Sequence, residues 1–526
     1  MACFLMFSNV PLPFNYVQVP SLEDSPNQRQ KPLILYVHKV ITPLTINAFR
    51  HAGFIVTKTP DHFNASWGRQ FHTKEYQSCA SWQKINHFAG AFLMGRKDNF
   101  HKVMKELHQR IGDDSGFYPK SFLLQNEIHE AESIFSSYHQ WIFKPCASSR
   151  GRGIHIISSV DNKIPTCKGI LQQYIDKPLL ITGRKFDIRL YVLVTSISPL
   201  KIYIHQSGLG RFATHQYVCG GDSSDLQMHL TNFSLNKGSN DFISSNDDNE
   251  SIENSKWSLD FLLDHLRSLS IDTKKLMNDI EKVVISSLIA GACQIRSHHR
   301  NLIKHRHTSY EIYGFDILLD ENLKPYIIEI NISPSMCADS LLDKKLKSVL
   351  LNDLIKMARI IDCDCSSNMN NLGPCPGIDM YDAECENSLT NERIESVEMG
   401  KVRPWDDPVF ADFRFVRDFI EEKNIQSNFR RIFPRRKTID DFYSCFDHLQ
   451  YEDIVLRDFI AFSSDERFEV LRRSWNVYEI PMRKINENVK QLENELQLPK
   501  EEEGEAIFKD NIADEVINFS EDKEEE

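Results

Sequence analysis

Residues 310–334 read Y-E-I-Y-G-F-D-I-L-L-D-E-N-L-K-P-Y-I-I-E-I-N-I-S-P, which sets three oxygen donors, Asp316, Glu329 and Asn331, inside two apolar runs. Two carboxylates and an amide are hard donors that suit Mg²⁺ held jointly with phosphates. The apolar runs, 312–319 and 326–332, flank the polar turn 320–324, which is a hairpin pattern. A turn centred between Glu321 and Asn322, or between Asn322 and Leu323, pairs Asp316 with Ile327 or with Glu329. Side chains alternate faces along a strand, so either register puts the three donors on one face. The competing reading is an edge strand with a solvated face. Both runs are too apolar for that, and a lone buried acid needs a partner.

Cations supply a second half. Lys144 ends the apolar run W-I-F-K, where a lysine must reach a charge or extend to water. Lys185, Asp187 and Arg189 alternate along K-F-D-I-R-L-Y-V-L-V-T and share a face; the alternative is an ion network within that strand. Arg211, in G-R-F-A-T, adds another fixed cation. Together Lys144, Lys185, Arg189 and Arg211 would neutralise a triphosphate and an acyl phosphate. The loop S-S-R-G-R-G at 148–153 lies between two strands and matches neither G-x-x-x-x-G-K-[ST] nor a βαβ G-x-G-x-x-G. Its backbone N–H groups, with Arg150 or Arg152, could still cradle phosphates; an ordinary hairpin turn explains it equally. No Ser/His or Cys/His pair stands out as a nucleophile.

The elements that must position these groups follow from the rest of the chain. Its 526 residues suggest roughly two to four domains, and 41% hydrophobic content is normal for a sizeable core. The net charge of −12 is concentrated: residues 501–526 hold twelve acids and two lysines, which leaves the remainder nearly balanced. Acidity is therefore a property of that segment and says little about partners of the folded part. Twelve cysteines are scattered, and the start lacks a basic region and meets Pro11 and Pro13 early, so reduced intracellular thiols are expected. Cys363, Cys365, Cys375 and Cys385 have irregular spacing and no histidine, and read as free thiols in a loop. No run of about 18 apolar residues exists, so no membrane span is expected.

Strands are expected at 33–38, 54–57, 118–124, 141–144, 154–157 and 169–175, and an antiparallel pair at 185–195 and 201–205. Helices are expected at 45–52, 99–109, 259–289 with a break near 268–273, 342–361, 413–423 and 452–461. Residues 1–30 read as loose, 238–255 as a flexible insertion, 362–400 as a Cys/Asn-rich loop and 491–526 as an acidic disordered tail.

The motifs W-I-F-K-P…S-S-R-G-R-G-I, L-Q-Q-Y-I, G-R-K-F-D-I-R-L-Y-V-L-V, G-R-F-A-T, M-H-L-T-N-F-S-L-N-K and Y-G-F-D-I-L-L-D-E-N-L-K-P-Y-I-I-E-I-N-I-S-P-S follow one another in the chain. In this order they resemble the tubulin tyrosine ligase-like family of ATP-grasp amino-acid ligases. The likeness runs from about Lys31 to about Ile361, with a weaker helical extension to about Pro481. N-H-F-A-G at 86–90, G-R-K-D at 95–98 and R-I-F-P at 431–434 look like its glutamylating branch, of the type 4 and type 5 kind. The resemblance implies an α+β (α/β) ATP-grasp fold: an N-terminal α/β domain at 31–115, ATP-grasp central and C-terminal lobes at 116–361, and a helical extension at 401–490.

Carried over residue by residue, the resemblance implies that Lys144, Arg150, Gly151, Gln172, Gln173, Tyr174, Ile175, Lys185, Asp187, Thr231 and Asn232 bind ATP. It implies that Asp316, Glu329 and Asn331 hold Mg²⁺, and that Arg211, Phe233, Ser234 and Lys256 face the incoming glutamate. Arg189 and Arg211 are the candidates to stabilise the charged intermediate. The family often has Tyr where Phe233 stands and Thr where Cys337 stands, so two hydroxyls are missing from the amino-acid end. The implied activity is ATP-dependent addition of free L-glutamate, through an isopeptide bond, to glutamate side chains in acidic tails of tubulin or other proteins. Alternatives are a glycine ligase of the same family and an inactive microtubule-binding relative. Basic docking candidates for such a tail are Arg96 with Lys97, the run 296–307, and 430–437. The expected setting is cytoplasmic, on microtubules, cilium or basal body, as a monomer; nucleic acid is not an expected partner.

Overall fold

The structure, a computed structural model, describes residues 6–7, 10–27, 32–39, 41–60, 62–112, 116–148, 151–160, 163–239, 241–243, 250–364, 375–436 and 439–495. Mixed helices and sheets make it an α+β protein built on three sheets.

The first sheet is parallel, in the order β2-β1-β3-β4, from β1 (Leu33–His38), β2 (Phe54–Thr57), β3 (Ala65–Gly68) and β4 (Lys84–Ile85). The helix Pro43–His51 links β1 to β2; the Thr42 side chain accepts from the Thr45 N–H, and a proline opens the first turn. Its buried face, Thr45, Ile46 and Phe49, packs on the helix Leu341–Ala358.

The second sheet is antiparallel, in the order β5-β8-β6-β7: β5 (Ser121–Leu123), β6 (Gln140–Lys144), β7 (His155–Ser158) and β8 (Ile170–Gln173). Phe122, Trp141, Phe143, Ile157 and Leu171 make its small core.

The third sheet carries the longest strands. Its path is β12-β11-β10-β13-β14, from β10 (Arg184–Ile197), β11 (Leu200–Phe212), β12 (Lys256–Ser258), β13 (Glu311–Leu319) and β14 (Pro325–Asn331). The short β9 (Leu180–Ile181) pairs with β10 and β15 (Phe429–Phe433) with β11. Alternation along β10 sends Phe186, Ile188, Leu190, Val192 and Val194 into the core under the helix Thr273–Leu302, and Tyr191 and Leu193 into a second core shared with the first sheet. A strand buried on both faces must be apolar throughout. The charged stretch Lys185, Asp187 and Arg189 breaks that rule, which marks where the second face opens onto a cleft.

Helices Pro376–Asn387, Asn391–Glu398, Phe410–Lys423, Tyr451–Ala461, Ser464–Arg473 and Trp475–Glu495 form a separate apolar cluster. Four expectations change. Residues 1–30 are not uniformly loose: Phe7, Val10 and Val17 are buried, and Tyr16 bridges to Ile361. Two helices form inside 362–400, where a loop was expected; the first starts at Pro376, whose fixed φ suits a first turn. The helix Trp475–Glu495 runs into the expected tail, while 496–526 lies outside the described residues. The insertion 238–255 is tied down at its far end, where Arg184 donates to the carbonyls of Ile252, Glu253 and Asn254. Among the described residues no helix is long and apolar enough to cross a membrane.

Candidate active site

The hairpin forms as expected in kind, with one departure from simple alternation. Leu319 pairs with Pro325, Leu318 with Tyr326 and Ile317 with Ile327, which centres the turn on Asn322. Asp316 then pairs with Glu329, so Ile328 is an extra residue on β14. Without that bulge the turn register would set Asp316 opposite Ile328 and put Glu329 on the core face. With it, Asp316, Glu329 and Asn331 share the open face. Asn331 stands opposite Gly314, and its Nδ2 donates to the Gly314 carbonyl and to Glu329 Oε1, at 3.4 and 3.3 Å.

From this hairpin a charged row crosses the whole sheet. Asp316 on β13 is the cross-strand partner of Arg189 on β10. Asp187, two residues earlier, is the partner of Arg211 on β11, and Arg211 is the partner of Lys256 on β12. The side chains interlock. Arg189 grips Asp316 through Nε and Nη2, at 2.5 and 3.0 Å. Arg211 grips Asp187 through Nε and Nη2, at 2.7 and 2.5 Å, and its Nη2 also lies 2.8 Å from Asp316 Oδ2. Burial alone would raise the Asp316 pKa; Arg189 and Arg211 outweigh it and hold the carboxyl well below the usual range. Gly314 makes this approach possible: a Cβ there would sit 3.0 Å from Pro334 Cβ and 3.4 Å from Arg189 Cδ.

One end of the row opens into a cleft of about 840 Å³ between the second and third sheets. Lys144, Gly151, Gln172, Gln173, Tyr174, Ile175, Lys185, Asp187, Thr231, Asn232, Asp316 and Glu329 all line it. Arg150 lies outside the described residues. Lys144 Nζ donates to Gln172 Oε1 at 2.7 Å and to the carbonyl of the bulge residue Ile328 at 3.4 Å. Lys185 Nζ donates to Tyr174 Oη at 2.9 Å and sits over that ring. Burial pushes the two ammonium groups down, Lys144 to about 8 and Lys185 to about 7, the latter helped by Lys144 nearby. Two buried lysines with lowered pKa values share this cleft, and an anion beside them would restore their charge. Thr231 Oγ1 donates to Asp187 Oδ2 at 2.6 Å, which ties the row to the floor of the cleft. Gly151 turns with φ of +76°, where a Cβ would meet Leu235 Cδ1 at 2.4 Å.

The other end is built by Lys256. Its Nζ lies 3.7 Å from the Phe233 ring centroid and 2.6 Å from Asp343 Oδ2. Lys347 reaches the same carboxylate at 2.8 Å. Of the expected amino-acid contacts Arg211, Phe233 and Lys256 come together, and Ser234 is exposed on the short helix Phe233–Asn236.

Sequence reasoning did not place Lys97, His229, Ile142, Ile154, Leu230 and Leu318 in the cleft, which they line. The apolar members carry no signal beyond core character. Lys97 does: G-R-K-D puts it at the start of the helix Lys97–Ile111, where it donates to the Ser148 carbonyl at 2.8 Å and lies 3.8 Å from Glu329. N-H-F-A-G is structural: His87 Nδ1 lies 2.7 Å from Glu311 Oε1, and the Phe88 N–H donates to Glu311 Oε2, which anchors the start of β13.

The sequence profile of the Tubulin-tyrosine ligase family matches residues 74–367, which contain every residue of the row. The chain belongs to the tubulin-tyrosine ligase family. Human "Tubulin monoglutamylase TTLL4" is 30% identical over 82% of this chain and 38% of its own length. Mouse "Tubulin polyglutamylase TTLL5" is 33% identical over 73% of this chain and 31% of its own. The Caenorhabditis elegans "Tubulin polyglutamylase ttll-4" is 28% identical over 88% of this chain and 77% of its own. The chain thus spans about a third of the two mammalian relatives.

In this family member the three basic docking candidates have different fates. The run 296–307 is taken up by the fold: Arg296 is fully buried on Asp453, and Arg300 and Arg306 both pair with Glu452. Lys97 belongs to the cleft, and Arg96 pairs with Asp98 at 2.8 Å. Arg430, Arg431, Arg435 and Arg436 line a broad groove beside β15, together with Lys423 and Arg467. Lys437 lies outside the described residues.

Proposed function

We propose that this chain is an ATP-dependent protein–glutamate ligase that joins free glutamate, through an isopeptide bond, to glutamate side chains in acidic tails of tubulin or similar proteins. The observation that carries the reading is the continuous row from Glu329 through Asp316, Arg189, Asp187 and Arg211 to Lys256, with a nucleotide-sized cleft at one end. The fold class that suits it is ATP-grasp, with the purine between the apolar walls Ile142, Ile154, Leu230 and Leu318 and the phosphates toward Lys144, Lys185 and Gly151. The relatives' names, tubulin monoglutamylase and polyglutamylase, agree with this activity.

A carboxylate does not couple to an amine at neutral pH without a leaving group. Transfer of the γ-phosphoryl of ATP to an acceptor glutamate carboxylate gives an acyl phosphate and ADP. The amine of free glutamate then attacks the acyl carbon, loses a proton, and phosphate leaves. Arg211 and Arg189, held beside the cleft by Asp187 and Asp316, would steady the charge that develops on the carboxylate and phosphate oxygens, and each donor of this kind contributes about 3–4 kcal/mol in comparable sites. Lys144 and Lys185 gain full charge as the polyphosphate enters, which fixes it in place.

Asp316, Glu329 and Asn331 fit Mg²⁺. A carboxylate offers about four lone-pair sites, so the two arginines leave Asp316 capacity to ligate. The Asn331 Nδ2 is turned to Gly314 and Glu329, which leaves its amide oxygen for a cation. When bound there, Mg²⁺ supplies charge neutralisation and alignment of the phosphates.

At the amino-acid end, Lys256 and Lys347 both pair with Asp343, and Asp339 is a further acid acting on Lys256. The Lys256 ammonium, held over the Phe233 ring, suits the second carboxylate of glutamate, which glycine lacks. Such an enzyme works in the cytoplasm on microtubules, the cilium or basal body included. The test is mass spectrometry of tubulin and acidic-tailed proteins incubated with ATP and glutamate. The expected result is mass additions of glutamyl units that disappear with Glu329→Ala. Additions that persist in that variant overturn the mechanism, and radiolabelled glycine incorporated in place of glutamate overturns the substrate.

A further inference from the structure

The basic groove beside β15, about 1730 Å³ in volume, is an open feature distinct from the cleft. Its floor is apolar, with Phe419, Ile420, Phe429, Phe459 and Ile460. Its walls carry Lys423, Arg430, Arg431, Arg435, Arg436 and Arg467. Acids offset part of that charge: Arg430 and Arg435 share Glu281, Glu466 lies near Arg436, and Glu422, the acid among the described lining residues, is already paired with Lys201. Arg431 is held flat on the Phe419 ring, 3.6 Å from its centroid, and Lys423 and Arg436 are exposed. The groove therefore presents surplus fixed cations over an apolar strip.

Residues 501–526 are the complement of that surface. They read E-E-E-G-E-A-I-F-K-D-N-I-A-D-E-V-I-N-F-S-E-D-K-E-E-E: twelve acids against two lysines, with Ile507, Phe508, Ile512, Val516, Ile517 and Phe519 between the acidic ends. The same composition makes the segment a likeness of an acidic acceptor tail. We infer that the groove binds acidic peptide with apolar anchors, and that residues 501–526 of the same chain are its resident occupant, in competition with acceptor tails. This rests on the proposed preference for acidic acceptors.

Reach permits it. The helix Ser464–Arg473 contributes Ser464 and Arg467 to the groove and leads directly into the helix Trp475–Glu495. Twenty-one helical residues span about 31 Å, whereas an extended segment the length of 501–526 spans roughly 80 Å. An intramolecular competitor acts at an effective concentration of about 1 mM, so a segment with a dissociation constant of about 0.1 mM weakens an outside peptide about tenfold.

The test uses the full chain and a fluorescein-labelled oligoglutamate peptide, read by anisotropy at low salt without ATP. One variant neutralises the segment: Glu501→Gln, Glu502→Gln, Glu503→Gln, Glu505→Gln, Glu524→Gln, Glu525→Gln and Glu526→Gln. A second inverts two exposed groove cations, Lys423→Glu and Arg436→Glu. The expected result is about tenfold tighter peptide binding in the first, about tenfold weaker binding in the second, and no gain when the two are combined. Equal affinity in wild type and the first variant overturns the resident occupant. Unchanged affinity in the second overturns the groove as the surface. Sedimentation expects a monomer at all concentrations; self-association that vanishes in the first variant places the segment in a second copy and overturns the arrangement within one chain. Because no catalysis is read, a failed ligase assay leaves this result independent.

Discussion

Asp316 and Glu329 stand directly opposite each other across the hairpin because Ile328 is an extra residue in β14. Their environments differ although they face one another. Asp316 is 1% exposed and clamped by two arginines; Glu329 lines the cleft, with Lys97 3.8 Å away. One carboxylate is locked into the sheet, and the other is held only by the longer contacts with Lys97 and Asn331.

That difference predicts a split between stability and activity. Asp316→Ala leaves Arg189 without its buried partner and is expected to lower unfolding free energy by about 3–5 kcal/mol. Glu329→Gln removes a longer, partly solvated contact and is expected to change stability by about 1 kcal/mol or less. Both are expected to abolish ligation. Urea unfolding and ligation measured on the same preparations decide the matter; equal stability losses would refute the division of roles.

Nucleotide binding is expected to take up protons. Lys144 and Lys185 titrate at about 8 and about 7 rather than at their ordinary 10.5. At pH 8 the first is half charged and the second mostly neutral, so restoring both to the ammonium form absorbs about 1.4 protons. The sign for stability follows. Between these depressed values and 10.5 the unfolded chain binds more protons than the folded one, so the nucleotide-free protein gains stability as pH rises across that window. The bound protein, with its lysines fully charged, loses that dependence. Calorimetry in buffers of different ionisation enthalpy measures the uptake, and a binding heat independent of buffer contradicts it.

Gly151 is expected to be needed for its backbone. At φ of +76° an alanine is strained by about 1–2 kcal/mol, and its Cβ would displace Leu235 from 2.4 Å. Gly151→Ala is therefore expected to weaken nucleotide binding about tenfold. Titration with a fluorescent ATP analogue reads this, and unchanged affinity shows that the loop does not shape the phosphate end.

Most of the row could be read from the chain because its charges interrupt otherwise apolar strands. Lys185, Asp187 and Arg189 declare a shared face by spacing alone, whereas the hairpin donors share theirs because the bulge at Ile328 offsets a turn centred on Asn322, a register the spacing did not predict. Partners were harder to read. That Arg189 would take Asp316, and Arg211 both Asp187 and Asp316, depends on strand order and on the bulge at Ile328, neither of which has a local signature. The run 296–307 misleads for the same reason: Asp453 and Glu452, which neutralise it, lie about 150 residues away and on another helix. Phe7 and Val10 looked loose because a short irregular segment shows no periodicity, yet both pack into the core of the C-terminal helices. The helices inside 362–400 were missed because their apolar faces are thin, with Ile378, Tyr381 and Cys385 in one and Val397 in the other.

The last prediction concerns the amino-acid end, where Lys256, Lys347 and Asp343 form one unit. Lys256→Met keeps the stem over the Phe233 ring but removes the charge, leaving Lys347 paired with Asp343 and no ammonium over that ring for a second carboxylate. A hydrogen bond to a charged group contributes about 1.5–3 kcal/mol, so the KM for glutamate is expected to rise at least about tenfold. The KM for ATP is expected to hold, because the cleft lined by Lys144 and Lys185 does not include Lys256. Asp343→Asn acts differently: it frees both lysines, so positive charge is kept while position is lost, and the increase in glutamate KM should be smaller. Initial rates with each substrate varied in turn distinguish these cases. A parallel rise in both KM values in Lys256→Met would mean that Lys256 supports the sheet rather than the amino acid.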